Sequence, residues 1–156
     1  MDTCTIERVA LMSIHPVYAS AIIDGTKTIE FRKRRLASDI STVLVYATSP
    51  TKMIVGSFVI DLTVEASPEE MWRDYGQRGA ISKRSFFSYY RGYHTAVGFS
   101  IGAVRALSRP VRLEQVSRHL VPPQSFLYLP SALADDAMAD VRPTLSVESP
   151  IVSQYR

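Results

Sequence analysis

Cysteine is nearly absent from this chain: Cys4 is the only one among 156 residues, which excludes an internal disulfide and any metal site built on paired cysteines. Its place in an N-terminal segment expected to fray argues against a catalytic thiol as well. Histidine is also scarce. His15, His94 and His119 lack the close paired spacing of zinc ligands. No apolar run approaches the ~20 residues that a membrane-spanning helix needs. The first eight residues carry acids rather than the basic-then-apolar order of a signal peptide, so a cytoplasmic location with no membrane partner is expected. No repeat period is present, and no cofactor is expected.

What remains is ordinary globular composition, 46% apolar and 21% charged, in a length that suits one domain with a real core. Charge is unevenly spread. Residues 1–120 hold 16 basic and 11 acidic side chains, whereas residues 121–156 hold two basic and four acidic ones, leaving a net charge of +3. A basic body with an acidic tail is compatible with nucleic-acid binding through phosphate neutralisation, although an excess of this size also occurs in proteins that bind no nucleic acid.

Residues 9–14 are an apolar run of strand length closed by His15-Pro16. A helix is predicted next, with Pro16 in its first turn, Val17, Ala21 and Ile22 near one face, and Asp24-Gly25 as its stop. Residues 28–32, 42–47 and 53–64 read as strands, with Gly56 marking a bulge or a close backbone approach. Ser67-Pro68-Glu69-Glu70 is a strong helix start, Ser82 opens a second helical stretch to about Tyr90, and residues 96–107 form a long final strand. Pro122-Pro123 then breaks the chain. The order predicts an α+β fold: a small, curved, mainly antiparallel β-barrel with flanking helices, rather than a doubly wound parallel sheet.

Residues 25–35 concentrate five of the eighteen Lys and Arg side chains. Period two puts Thr28, Glu30 and Arg32 on one strand face and Ile29 and Phe31 on the other, as core. Lys27, at the strand entrance, can curl round to join the polar face. Ammonium, carboxylate and guanidinium groups so placed can grip an anion or tune a proton. The competing reading is a solvated edge strand guarded by charge.

The chain resembles an ASCH-domain protein of the PUA-like group. The resemblance rests on residues 11–16 (Leu-Met-Ser-Ile-His-Pro), on Gly25-Thr26-Lys27-Thr28-Ile29-Glu30-Phe31-Arg32 as a Gly-x-Lys-x-x-Glu-x-Arg signature, on Tyr89-Tyr90-Arg91-Gly92, and on Pro122-Pro123-Gln124-Ser125-Phe126. It covers roughly residues 8–129, with 8–120 as the domain and 1–7 as an N-terminal extension; residues 121–156, which carry Pro, Ser and Ala without sustained periodicity, are expected to be a C-terminal extension packing on or trailing from it, anchored by residues 126–129. It implies a cleft where Lys27, Glu30 and Arg32 line the floor beneath RNA, another single-stranded nucleic acid or a nucleotide. In that setting Arg32 can fork onto a phosphate or a guanine edge, Lys27 acts as a mobile point charge, and Glu30 accepts from base amino groups or holds Arg32. Arg34 and Arg91 add cationic contacts, and Tyr89, Tyr90 and Tyr93 are either stacking surfaces or core packing.

Some relatives of this kind remove an acetyl group from modified cytidine, using a Lys, a Thr three residues later and a downstream Glu. Here Glu30 stands where that Thr is needed, and Thr28, one residue from Lys27, points to a different side of the strand from it. Glu65 or Glu69 could be the downstream carboxylate. If the protein is an enzyme, Lys27, Glu30, Thr28 and His15 are its candidate groups, with His15 a possible base for RNA cleavage or simply a turn residue. The expectation is an RNA-binding module, with a nucleoside or RNA hydrolase (amidohydrolase or ribonuclease) as the alternative. A third reading is a protein-docking adaptor using residues 126–129. Oligomeric state is left open.

Overall fold

The computed structural model describes residues 6–139; Cys4 and residues 140–156 of the C-terminal extension lie outside the described residues. The first strand, β1 (Arg8–Ile14), leads through His15 into α1 (Pro16–Asp24). His15 caps that helix, its Nδ1 accepting from the Val17 amide, and Gly25 ends it in the left-handed conformation at φ 87°. Helix α1 buries Ala19 and Ile22, while Val17, expected on the inner face, is largely exposed.

Strands β2 (Ile29–Arg32), β3 (Thr42–Ala47) and β4 (Met53–Ala66) follow, then α2 (Pro68–Tyr75), a 3-10 turn at Gly76–Arg78, and α3 (Lys83–Tyr89). Ser67 and Glu70 form a reciprocal capping box on α2, and Ser82 caps α3. The chain continues through β5 (Ala96–Val111), the single turn α4 (Leu113–Val116), β6 (Phe126–Pro130) and α5 (Ser131–Ala139). None of the described helices is long and apolar enough to cross a membrane.

These strands make one six-stranded sheet in the order β2-β5-β4-β3-β1-β6. Its pairings are antiparallel except β1 with β3, which are joined by a crossover through α1 and β2. Both faces are covered. Val9 and Leu11 of β1 pack with Leu113, Ala134 and Met138, while Ala10, Met12 and Ile14 pack with α1 and Phe58. Burial on both faces is why β1 reads as a continuous apolar run. A third cluster, with Ile29, Phe31, Met71 and Phe86, joins β2 to α2 and α3.

The expected barrel is not closed. No backbone ladder joins the outer strands β2 and β6 among the described residues. Instead Arg32 spans the seam: Nη1 donates to the Ser13 carbonyl of β1 at 3.2 Å, and Nη2 to the Ser125 carbonyl at 3.2 Å and Oγ at 2.7 Å. The segment beyond Pro122-Pro123, expected to be irregular, enters the sheet. Residues 126–130 pair with β1, and the Ser13 amide and hydroxyl continue the contact to the carbonyls of Ser125 and Pro123.

Gly56 sits at a register shift between β4 and β5, where a Cβ would lie 2.5 Å from the Arg105 carbonyl oxygen. Gly56→Ala is expected to destabilise by about 1–3 kcal/mol through overpacking, lowering the thermal midpoint by roughly 2–4 °C per kcal/mol. An unchanged midpoint in a differential scanning experiment would contradict the close approach. Arg32→Ala leaves Glu30 short of a cation and the seam without its bridge, at a cost of about 3–5 kcal/mol. Chemical denaturation should detect this loss, and Arg32→Lys should recover only part of it, since an ammonium cannot fork to Ser13 and Ser125 together.

Candidate functional site

The chain before β2 makes a turn in which Lys27 is buried rather than curled outward. Its amide donates to the Ala21 carbonyl, and its Nζ donates to the Gly79 carbonyl at 2.6 Å and lies 3.4 Å from Glu30 Oε2. The ammonium also faces the Tyr18 ring at 5.0 Å and the Phe31 ring at 5.5 Å. Lys27 is therefore held from all sides, not the mobile point charge expected. Glu30 completes a charge triad through Arg32, whose Nη1 donates to Oε1 at 3.3 Å. The side chains of Lys27, Glu30 and Arg32 are 3%, 7% and 12% exposed, so the triad is screened little by solvent. Burial pushes the Lys27 pKa below the usual lysine range, and the adjacent Glu30 carboxylate opposes that shift without cancelling it.

These three side chains border a cavity of about 250 Å³. Ile14, Phe31, Ile81 and Phe86 supply apolar wall, and His15, Tyr18, Ser85 and Tyr89 bring polar groups to it. Being an edge strand, β2 lets residues of both its faces reach the opening. Arg32 and Tyr89 also line an adjoining groove that contains Lys33, Arg34, Tyr93 and Gln124. The Arg32 guanidinium retains one buried donor, Nε, with no protein partner among the described residues.

The other candidates are distributed as follows. Thr28 lies outside the cavity: its hydroxyl accepts from Arg78 Nε at 3.0 Å and its carbonyl from Arg78 Nη2 at 2.9 Å. Glu65 pairs with Arg35 on the surface at 2.6 Å, and Glu69 lies in the first turn of α2. Neither reaches the triad's cavity. Tyr90 corrects the stacking expectation. It is 2% exposed, and its hydroxyl donates to the Arg32 carbonyl at 2.7 Å, so its ring belongs to the core. Burial raises its pKa, as it does that of Tyr89. Tyr89 and Tyr93 keep exposed ring surface, and Arg91 is exposed but lines neither the cavity nor the groove. Among the described residues no three His, Cys, Asp or Glu side chains cluster as metal ligands.

Sequence reasoning passed over Tyr18, Ser85 and Lys33. Lys33 stood in the basic run, but the strand reading stopped at Arg32 and gave it no role; β2 does end at Arg32, which frees Lys33 to turn outward. Tyr18 and Ser85 lie in the first turns of helices whose polar positions resemble any solvated face, and only the packing of α1 and α3 around β2 brings them together.

Comparison with known proteins agrees with this architecture. Residues 12–105 match the model of the ASCH domain. The chain is 31% identical over 124 residues to a Zymomonas mobilis protein named ASCH domain-containing ribonuclease, covering 77% of this chain and 83% of that one. The crystal structure of ASCH from Zymomonas mobilis superposes with a TM-score of 0.78 at 27% identity, covering 84% of this chain and 94% of that chain. The N-terminal domain of Staphylothermus marinus McrB is similar in fold alone, with a TM-score of 0.54 at 11% identity over 85% of this chain and 93% of that one. With the signature run, the open sheet and this breadth of match in agreement, the chain belongs to the ASCH domain family, within the PUA-like superfamily.

Proposed function

We propose that this protein binds single-stranded RNA and draws one unpaired base into the cavity at the β2 edge. The observation that carries this reading is the burial of Lys27, Glu30 and Arg32 beside an opening walled by Phe31, Phe86 and Tyr89. Ligand pockets for drug-sized molecules run to about 300–1,000 Å³; one of about 250 Å³ suits a fragment the size of a base. Glu30 can accept from a base amino group, and the Arg32 guanidinium borders the same opening as a donor, which together match the mixed edge of a base. The rings supply the apolar faces against which a base packs. RNA is favoured over DNA because the similar Zymomonas mobilis protein is named a ribonuclease.

RNA cleavage is the second reading, favoured by that name and by the lowered pKa of Lys27, which brings its amine nearer the range useful for proton transfer. His15 lies at the cavity with Nδ1 committed to its helix cap, leaving Nε2 for a proton. Deacetylation of cytidine finds less support. The Thr28 hydroxyl accepts from Arg78 outside the cavity, so it is not poised beside Lys27 as a nucleophile. The adaptor reading also weakens, since residues 126–130 are engaged with β1.

Lys27→Met keeps bulk and removes charge. Its expected effect is a roughly tenfold or greater loss of affinity for a labelled RNA oligonucleotide, the scale of one charged hydrogen bond. Fluorescence anisotropy with unchanged affinity would remove Lys27 from the site. The pH dependence has a defined sign: Lys27 is charged below its lowered pKa, so wild-type affinity should fall as pH rises through that value, earlier than for a solvated lysine. In Lys27→Met that alkaline limb should be missing.

Cleavage is tested by mass spectrometry of RNA after long incubation. The cleavage reading expects products ending in cyclic phosphate, with His15→Ala slowing their formation by roughly 10²–10⁴-fold. Intact RNA under conditions of saturated binding would leave a binding protein.

A further inference from the structure

We propose that the groove beside the cavity is a second nucleotide subsite, holding the phosphate and stacked base next to the base in the cavity, so that the ligand is a run of unpaired ribonucleotides rather than a free nucleoside. This rests on the reading that the cavity takes a base. The groove shares Arg32 and Tyr89 with the cavity and encloses about 770 Å³ against the cavity's 250 Å³, room for more than one nucleotide fragment.

Its cations are prepared for an anion. Lys33 Nζ stands 4.6 Å from the centre of the Tyr89 ring and 4.4 Å from that of Tyr93. Two rings around one ammonium restrict a side chain that would otherwise sample many rotamers. The Arg34 guanidinium lies 5.8 Å from the Phe126 ring. Neither Lys33 nor Arg34 pairs with a carboxylate among the described residues, whereas their neighbour Arg35 meets Glu65 at 2.6 Å away from the groove. The basic run thus neutralises its last cation within the protein and leaves two at the groove without a counter-charge.

The occupant's chemistry follows from what accompanies those cations. Tyr93 and Tyr89 are 48% and 37% exposed, and rings interleaved with positive charge suit bases stacked between phosphate contacts. An acidic peptide would use the charges but leave the rings idle. Gln124, on the segment facing them, offers an amide donor and acceptor for a sugar or a base edge. A duplex cannot release a base into the cavity without unpairing, which restricts the ligand to single strands.

The test compares nucleoside monophosphates with matching tetraribonucleotides on the full chain at two salt concentrations, using calorimetry or anisotropy. The tetranucleotide should bind at least roughly tenfold tighter, the scale of one added stack. The double variant Lys33→Gln, Tyr93→Ala should lose that advantage and reduce the salt slope by roughly 0.7 per lost phosphate contact, with a smaller loss for the monophosphate, which has one phosphate and no second base. Lys33→Arg should keep the salt slope, which separates a charge role from a structural one. Equal wild-type affinity for the two ligand lengths overturns the subsite, as does a folded double variant that retains the advantage. If the advantage depends on Lys33 and Tyr93 while monophosphates fail to bind and Lys27→Met is silent, the groove stands and the base-in-cavity reading falls.

Discussion

The Arg32 guanidinium holds together two sheet edges that no backbone ladder joins among the described residues, and the charged cluster at β2 is arranged around it. A run of amide-to-carbonyl bonds between β2 and the segment entering β6 would draw the strands to about 4.7–4.9 Å and close the barrel. A side chain keeps them an arginine's length apart. The groove lies along that gap, lined by Ser13, Ser125 and Phe126, and the arginine that bridges it lines both the groove and the cavity beside it. Burying that guanidinium without a counter-charge would be costly, which accounts for Glu30 behind it. The carboxylate in turn offers a partner to Lys27, and the charged cluster follows from the geometry of the seam.

Lys27 depends on a different support. Its main acceptor is the Gly79 carbonyl, on the connection between the 3-10 turn and α3. That connection is fixed by Arg78, which donates to Thr28 and to the Ser100 hydroxyl at 2.7 Å, and by the close approach of Gly79 to Phe31. A Cβ at Gly79 would lie 2.2 Å from the Phe31 ring, so the absence of a side chain there sets how near the carbonyl comes to the ammonium. The aromatic contacts of Phe31 and Trp72 with Phe86 hold the ring in place from behind. The placement of the Lys27–Glu30–Arg32 triad therefore rests on the aromatic packing around Phe31.

The local elements were legible in the sequence. Capping residues and prolines marked the helix starts, alternation and β-branching marked the strands, and Gly56 revealed a close approach because only a missing side chain permits one. The signature from Gly25 to Arg32 located the charged triad. Pairing order was not legible, because a run buried on both faces carries no record of its neighbours: nothing in residues 9–14 says that β3 is a parallel partner or β6 an antiparallel one. The same limit explains the missed strand at residues 126–130, where prolines on either side suggested a wrapped extension. It explains Tyr90 too, since adjacent tyrosines at a helix end look alike until one proves to hold the Arg32 backbone.

The segment from Pro123 to Pro130 changes what counts as the functional piece of this chain. The family match ends at residue 105, yet the acceptors that satisfy Arg32 and the strand that covers β1 come some twenty residues later. A fragment cut to the matched region would retain the whole signature and still be unable to organise it, with Arg32 loosened and only residues 12–14 of β1 left beside β3 as a bare, apolar, adhesive edge. The stretch that marks kinship and the stretch that folds are different lengths of polypeptide, and it is the longer one that experiments on this protein have to carry.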